Sequence, residues 1–124
     1  MKKPVIRIKR IYEPASADDG TRVLVDRLWP RGVSKKAAAL DRWMKDLAPS
    51  TELRRWYDHD PARWAEFRQR YLDELAHKPE GVAALRRQAD EAGVLTLLFA
   101  CRERERNGAR VLQEHLRGDG VSGH

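Results

Sequence analysis

Val94-Leu95-Thr96-Leu97-Leu98-Phe99-Ala100 is almost wholly apolar, with no alternation that would leave one face wet. A strand of this kind needs cover on both sides, which suits the interior of a parallel sheet packed between helices. Arg22-Val23-Leu24-Val25-Asp26 repeats the pattern on a shorter scale, with an apolar centre serving both faces. Val5-Ile6-Arg7-Ile8-Lys9 alternates instead and so belongs near a sheet edge. Together they predict an α/β fold: a small, mostly parallel sheet of three or four strands flanked by helices. Between the first two strands, Glu13 to Gly20 carries turn residues: Pro14, Asp18-Asp19 and Gly20. That stretch is short for a parallel crossover, which takes about a dozen residues or more. The first strand is therefore either antiparallel or joined by one cramped turn. The second and last strands are expected to be parallel, with a right-handed crossover.

Helical periodicity fills most of the chain between the last two of these strands. Asp60 is placed to cap a helix with Pro61 at its first position, where a missing N–H costs nothing. Trp64, Phe67, Tyr71, Leu72 and Leu75 then form one apolar stripe. A second helix, about Glu80 to Ala92, buries Val82, Leu85 and Ala89 and stops at Gly93. A third starts near Gly108 and turns Val111, Leu112 and Leu116 inward. Shorter helical pieces are expected at Ser34 to Leu40 and Thr51 to Tyr57, with Ser34 and Ser50 as caps. Leu40 to Leu47 reads as either helix or strand.

The length of 124 residues suits one α/β domain, residues 1–117, followed by a disordered tail, 118–124. No apolar run is long enough to span a bilayer, no signal-peptide pattern opens the chain, and no membrane association is expected. A single cysteine, Cys101, precludes an internal disulfide and fits a reducing compartment, so the expected location is cytoplasmic. Lys plus Arg number 25 against 19 Asp plus Glu, a net charge of +6 that favours anionic partners without choosing among them. Much of that charge belongs to solvated helix faces such as Arg63 to Glu74. The sequence assigns no oligomeric state.

In open α/β sheets, ligands bind beyond the carboxyl ends of the strands. If the second and last strands are parallel, two loops share that edge: Asp26-Arg27-Leu28-Trp29-Pro30-Arg31-Gly32 and Cys101 to Gly108. In Trp29-Pro30-Arg31-Gly32, a fixed and a permissive backbone angle flank a planar guanidinium suited to carboxylate or phosphate. The structural alternative is a rigid turn whose Trp packs and whose Arg31 pairs with an acid such as Asp26. Asn107 suits a cap for the last helix, whose first N–H groups also make a small anion site. Cys101 sits at a strand end, where nucleophiles occur. Phosphatase-type loops, however, follow the cysteine with glycines and an arginine, and Asn107 stands at the arginine's place, so an inert thiol is expected. Asp58-His59-Asp60 has metal-like residue types in too tight a turn to surround an ion, so no metal and no cofactor are expected. His59 is the candidate acid–base or contact residue. Trp43, Trp56 and Trp64 read as packing residues.

Val25-Asp26-Arg27-Leu28-Trp29-Pro30-Arg31-Gly32, Ala48-Pro49-Ser50, Leu53-Arg54, Trp56, His59-Asp60-Pro61 and Trp64 resemble the YeaO-like bacterial proteins of the domain-of-unknown-function 488 family. Phe67, Arg70-Tyr71, Glu74-Leu75 and Thr96-Leu97-Leu98 continue a likeness that runs from about Ile6 to Leu116. The resemblance implies a small α/β protein and carries no activity. It singles out Asp26, Arg27, Trp29, Arg31, Ser50, Arg54, His59 and Asp60. Where such proteins commonly have Asn-His-Ala, this chain has Asn107-Gly108-Ala109, which weakens any catalytic scheme centred there.

The leading expectation is an anion-accepting pocket at the strand ends built by Asp26, Arg27, Trp29, Arg31, Arg54, His59 and Asn107. Arg31 and Arg54 would hold a small carboxylate or phosphate ligand, Asp26 would orient an arginine, and His59 would move protons in any reaction. Asp26 and Arg27 are expected to matter mainly to folding, Arg31 and His59 mainly to function. One alternative is a module that binds nucleic acid non-specifically through dispersed basic residues, with steep salt dependence. Another is a regulatory interaction protein without pocket chemistry.

Overall fold

The computed structural model describes residues 3–118; all but the first residue of the expected tail lies outside them. Strands β1 (Val5–Arg10), β2 (Thr21–Leu24), β3 (Arg42–Trp43) and β4 (Val94–Phe99) form one parallel sheet in the order β1-β4-β2-β3. The helices are α1 (Lys35–Ala38), α2 (Thr51–Tyr57), α3 (Trp64–Ala76), α4 (Pro79–Ala92) and α5 (Gly108–Arg117). Single 3-10 turns lie at Ala17–Asp19, Lys45–Leu47 and Pro61–Arg63. No helix among the described residues is long and apolar enough to cross a membrane.

The start signals act where they were expected. Ser34, Ser50 and Asn107 accept backbone N–H groups at the starts of α1, α2 and α5, and Asp60 does so at the turn that leads into α3. Gly93 ends α4 in the left-handed conformation. The ambiguous stretch from Leu40 to Leu47 splits into a two-residue edge strand and a 3-10 turn.

Side chains alternate across β2 and β4, so each strand serves two cores. Val23, Val25, Leu95, Leu97 and Phe99 meet Phe67, Tyr71, Leu75, Leu85 and Leu112 from the helices. Each such side chain, fully buried, contributes about 1.5–3 kcal/mol. On the other face Leu24 and Leu98 pack with Ile11 and Ala38 in a smaller cluster. Trp43, expected to pack, lies at the sheet edge and is 38% exposed, its ring edge-on to Trp29.

The open question about β1 is answered by the cramped turn. β1 is parallel to β4, from Val5 opposite Val94 to Arg10 opposite Phe99, and the chain returns to β2 through the turn at Ala17–Asp19. What holds so short a return is a buried ion cluster. Asp19 is fully buried and meets Arg22 Nη1 at 2.5 Å and Lys9 Nζ at 3.0 Å. The Arg22 guanidinium also donates to the Ala38 and Ala39 carbonyls, which ties α1 to the cluster. Thr96, the one polar residue in the apolar β4 run, donates its hydroxyl to the Asp19 carbonyl at 2.6 Å. Gly20 lets the turn lie against β4: with φ +62, a Cβ there would sit 2.2 Å from the Val94 carbonyl oxygen.

Candidate functional site

Beyond the carboxyl ends of β2 and β4, the two strand-end loops and the facing ends of α2 and α5 enclose a cavity of about 340 Å³. Asp26, Arg27, Trp29, Arg31, Arg54, His59 and Asn107 all line it. The parallel pairing of β2 with β4 is what brings Asp26 and Ala100 to one edge.

Lining the same space, these residues are engaged in different ways. Arg27 donates to the carbonyls of Ala48 at 3.2 Å and Pro49 at 3.3 Å and so clamps two loops together. Trp29 Nε1 donates to the Val33 carbonyl at 2.7 Å, closing its own turn. Asn107, 4% exposed, accepts from the Arg110 N–H and donates to the Glu103 carbonyl, which occupies both ends of its amide. Arg31 and Arg54 are exposed, and neither guanidinium makes a hydrogen bond or salt bridge to a described residue. The Arg31 carbonyl is held at 2.9 Å by the hydroxyl of Tyr12. The alternative pairing of Arg31 with Asp26 is therefore not formed.

Asp26 does not orient an arginine, contrary to expectation. Its Oδ2 accepts the Ala100 N–H at 2.9 Å, while Oδ1 has no partner among the described residues. Arg27 has turned to backbone carbonyls, and Arg54 acts on Asp26 only through its charge. Burial pushes the Asp26 carboxyl up to about 6, with the Ala100 N–H and Arg54 pulling the other way.

His59 is exposed and follows Asp58 in a run of two left-handed residues, φ 46 and 54. Side chains with a Cβ adopt that region at a cost, and such strain gathers at ligand-facing turns. The turn sets the His59 ring 6.2 Å from that of Tyr57, which stacks in turn on Phe67 at 4.3 Å. Among the described residues no group of three or more His, Cys, Asp or Glu side chains is arranged to hold a metal ion. Asp60 is engaged in accepting the Ala62 N–H.

Sequence reasoning missed Tyr12, Tyr57 and Arg106, which also line the cavity. Arg106 lies in the loop already under suspicion. Tyr12 and Tyr57, at a strand exit and a helix end, gave no comparable signal. Cys101 lines the cavity too, but its thiol is pushed up to about 11, by burial first and by the Asp26 charge second. Its alkylation by iodoacetamide at neutral pH should run roughly a hundredfold slower than that of free cysteine, since the thiolate is the reactive form. A rate equal to that of free cysteine would return Cys101 to the list of nucleophiles.

Residues 5–120 match the DUF488-N3i family, described as the inactive DUF488-N3 subclade. The chain is 48% identical over 115 residues to the uncharacterized protein YeaO of Escherichia coli (strain K12), covering 90% of this chain and 96% of that protein. It is 45% identical over 113 residues to the uncharacterized proteins Mb3100c of Mycobacterium bovis (strain ATCC BAA-935 / AF2122/97) and Rv3073c of Mycobacterium tuberculosis (strain ATCC 25618 / H37Rv), covering 91% of this chain and 94% of each. No solved structure matches the chain.

Proposed function

The chain belongs to the DUF488-N3i family, and from that premise we propose that it is a cytoplasmic protein that binds a small anionic ligand, a carboxylate or phosphate, in the strand-end cavity. The observation that carries this reading is the pair of guanidinium groups of Arg31 and Arg54, both lining the cavity and neither hydrogen-bonded or salt-bridged to a described residue. Arginine presents a planar donor fork that matches carboxylate and phosphate oxygens. Arg27, Trp29 and Asn107 hold the walls in place through their backbone contacts. The description of the family as inactive favours binding over turnover. His59 then serves as a ligand contact, and an acid–base role for it would require a reaction.

The nucleic-acid alternative needs a free basic face, and several arginines on the helices and strand-end loop are already paired with acids. Arg68 pairs with Glu114, Arg70 with Glu66, Arg104 with Glu13 and Arg106 with Glu103. Trp56 offers no open platform for a base, because Arg63 and Arg70 cover its ring. The cavity itself weighs against an interaction protein without pocket chemistry.

Thermal unfolding in graded concentrations of small carboxylates, phosphate esters and inorganic phosphate tests the proposal. A ligand at a hundred times its Kd adds about 2.7 kcal/mol to stability. Arg31→Ala and Arg54→Ala should each remove most of that gain while changing the ligand-free stability by less than about 1 kcal/mol, since both side chains are exposed. Stabilisation that survives both replacements, or none from any of these ligands, sinks the reading.

A further inference from the structure

We infer that the cavity takes an ampholyte: a small ligand with a cationic or N–H-bearing nitrogen group for Asp26 at one end and a carboxylate or phosphate for Arg31 and Arg54 at the other. The inference rests on the anionic-ligand reading above and specifies the opposite end of that ligand. Asp26 follows β2, an interior strand, and is fixed by the Ala100 N–H at the end of β4, its interior neighbour. One carboxylate oxygen makes that bond, and an uncharged asparagine would make it equally well. The second oxygen, Oδ1, has no partner among the described residues, and the side chain lines the cavity. A carboxylate set among Val25, Phe99 and Cys101 bears a desolvation cost that the Ala100 N–H and the charge of Arg54 offset only in part.

An anion lodged beside that carboxylate would be repelled by it. The ligand's negative end therefore belongs with the guanidinium groups of Arg31 and Arg54 rather than with Asp26. A positive or N–H-bearing end beside Oδ1 would supply the charge-assisted hydrogen bond that the protein itself does not. Tyr57, Phe67 and Phe99 add aromatic and apolar wall to the same cavity. A cavity of about 340 Å³ lies at the small end of the range for ligand sites, about 300–1,000 Å³. The fitting ligand is thus a single ring or a short chain bearing an amine, amidine or guanidine opposite its acid.

Three probes separate these features: benzoate, benzamidine and 4-amidinobenzoate, each titrated by calorimetry and by amide chemical shifts. On the intact protein, 4-amidinobenzoate should bind at least about tenfold more tightly than benzoate, the scale of one charge-assisted bond. Asp26→Asn should abolish that advantage and leave benzoate bound as tightly or more so, because the amide keeps the acceptor for Ala100 and turns a donor toward the cavity. Equal binding of benzoate and 4-amidinobenzoate, an advantage that persists in Asp26→Asn, or binding of none of the three at millimolar concentration overturns the inference. Benzoate binding that depends on Arg31 and Arg54, with no amidine advantage, leaves the anionic-ligand reading standing and removes only this one. Benzamidine binding that needs Asp26, beside benzoate binding indifferent to both arginines, removes the anionic-ligand reading instead.

Discussion

Asp19→Ala should lower the unfolding free energy by about 3–5 kcal/mol, the usual loss when one member of a buried ion pair is removed. The replacement strands Arg22, 5% exposed, and leaves Lys9 with only the Pro14 carbonyl. It also strips the acceptor from the Ser16 N–H, so the return from β1 to β2 loses its centre. Burial alone would raise the Asp19 carboxyl, but the Ser16 N–H, Lys9 and Arg22 outweigh it and hold the group below its ordinary value of 3.8. A lowered carboxyl contributes its full stability above the unfolded value and loses it as pH falls through the folded one. The difference between the wild type and the alanine variant should therefore be constant near neutrality and shrink only in strong acid. Urea unfolding across that range measures it, and a loss below about 1 kcal/mol at pH 7 would mean that packing around Ile11 holds the return instead.

Asp26→Asn should do the opposite. A carboxyl raised from 3.8 to about 6 contributes fully below its unfolded value and loses that contribution as pH rises through about 6. A shift of this size corresponds to roughly 3 kcal/mol at most, carried as a burden by the wild type at neutral pH and above. The asparagine variant keeps the bond to Ala100 without the charge. It should be the more stable protein at about pH 7.5, and the gap should close toward about pH 4. A difference independent of pH over that range would show that Asp26 titrates normally. Gaining stability by removing the charge would mark Asp26 as a residue kept for the ligand, since buried charges held at a cost gather at functional sites. The expectation that Asp26 serves mainly folding supposes a charge partner at the sheet edge, where the structure shows the Ala100 N–H as its hydrogen-bond donor.

What was legible in the sequence was what short-range chemistry writes plainly. Apolar runs marked β2 and β4, three-to-four spacing marked α3, α4 and α5, and Ser34, Ser50, Asp60 and Asn107 marked where helical segments begin. The rule that ligands gather at strand ends drew attention to the two loops that enclose the cavity. What the residues do there was harder to read, because a donor's partner depends on tertiary placement. Arg27 and Arg54 look alike in the sequence, yet one is engaged by the Ala48 and Pro49 carbonyls and the other makes no hydrogen bond to a described residue. Asp19 was read as a turn residue and is fully buried, because its partners Lys9 and Arg22 reach it from two separate strands.

The strand order has a bearing on how the chain is made. β4 is the last of the described strands in the sequence, yet it sits between β1 and β2 and pairs with both. While the chain leaves the ribosome, β1 has no strand to join, and β2 has only the two-residue β3. At about 5–20 residues per second, the apolar Val23, Leu24 and Val25 wait for several seconds before Leu95 to Leu98 emerge to cover them. Pairing across so long an interval also makes for slow refolding, since loop closure precedes any reward from contact. The sheet therefore assembles only once β4 has emerged, and until then the apolar residues of β2 stay without the strand that covers them.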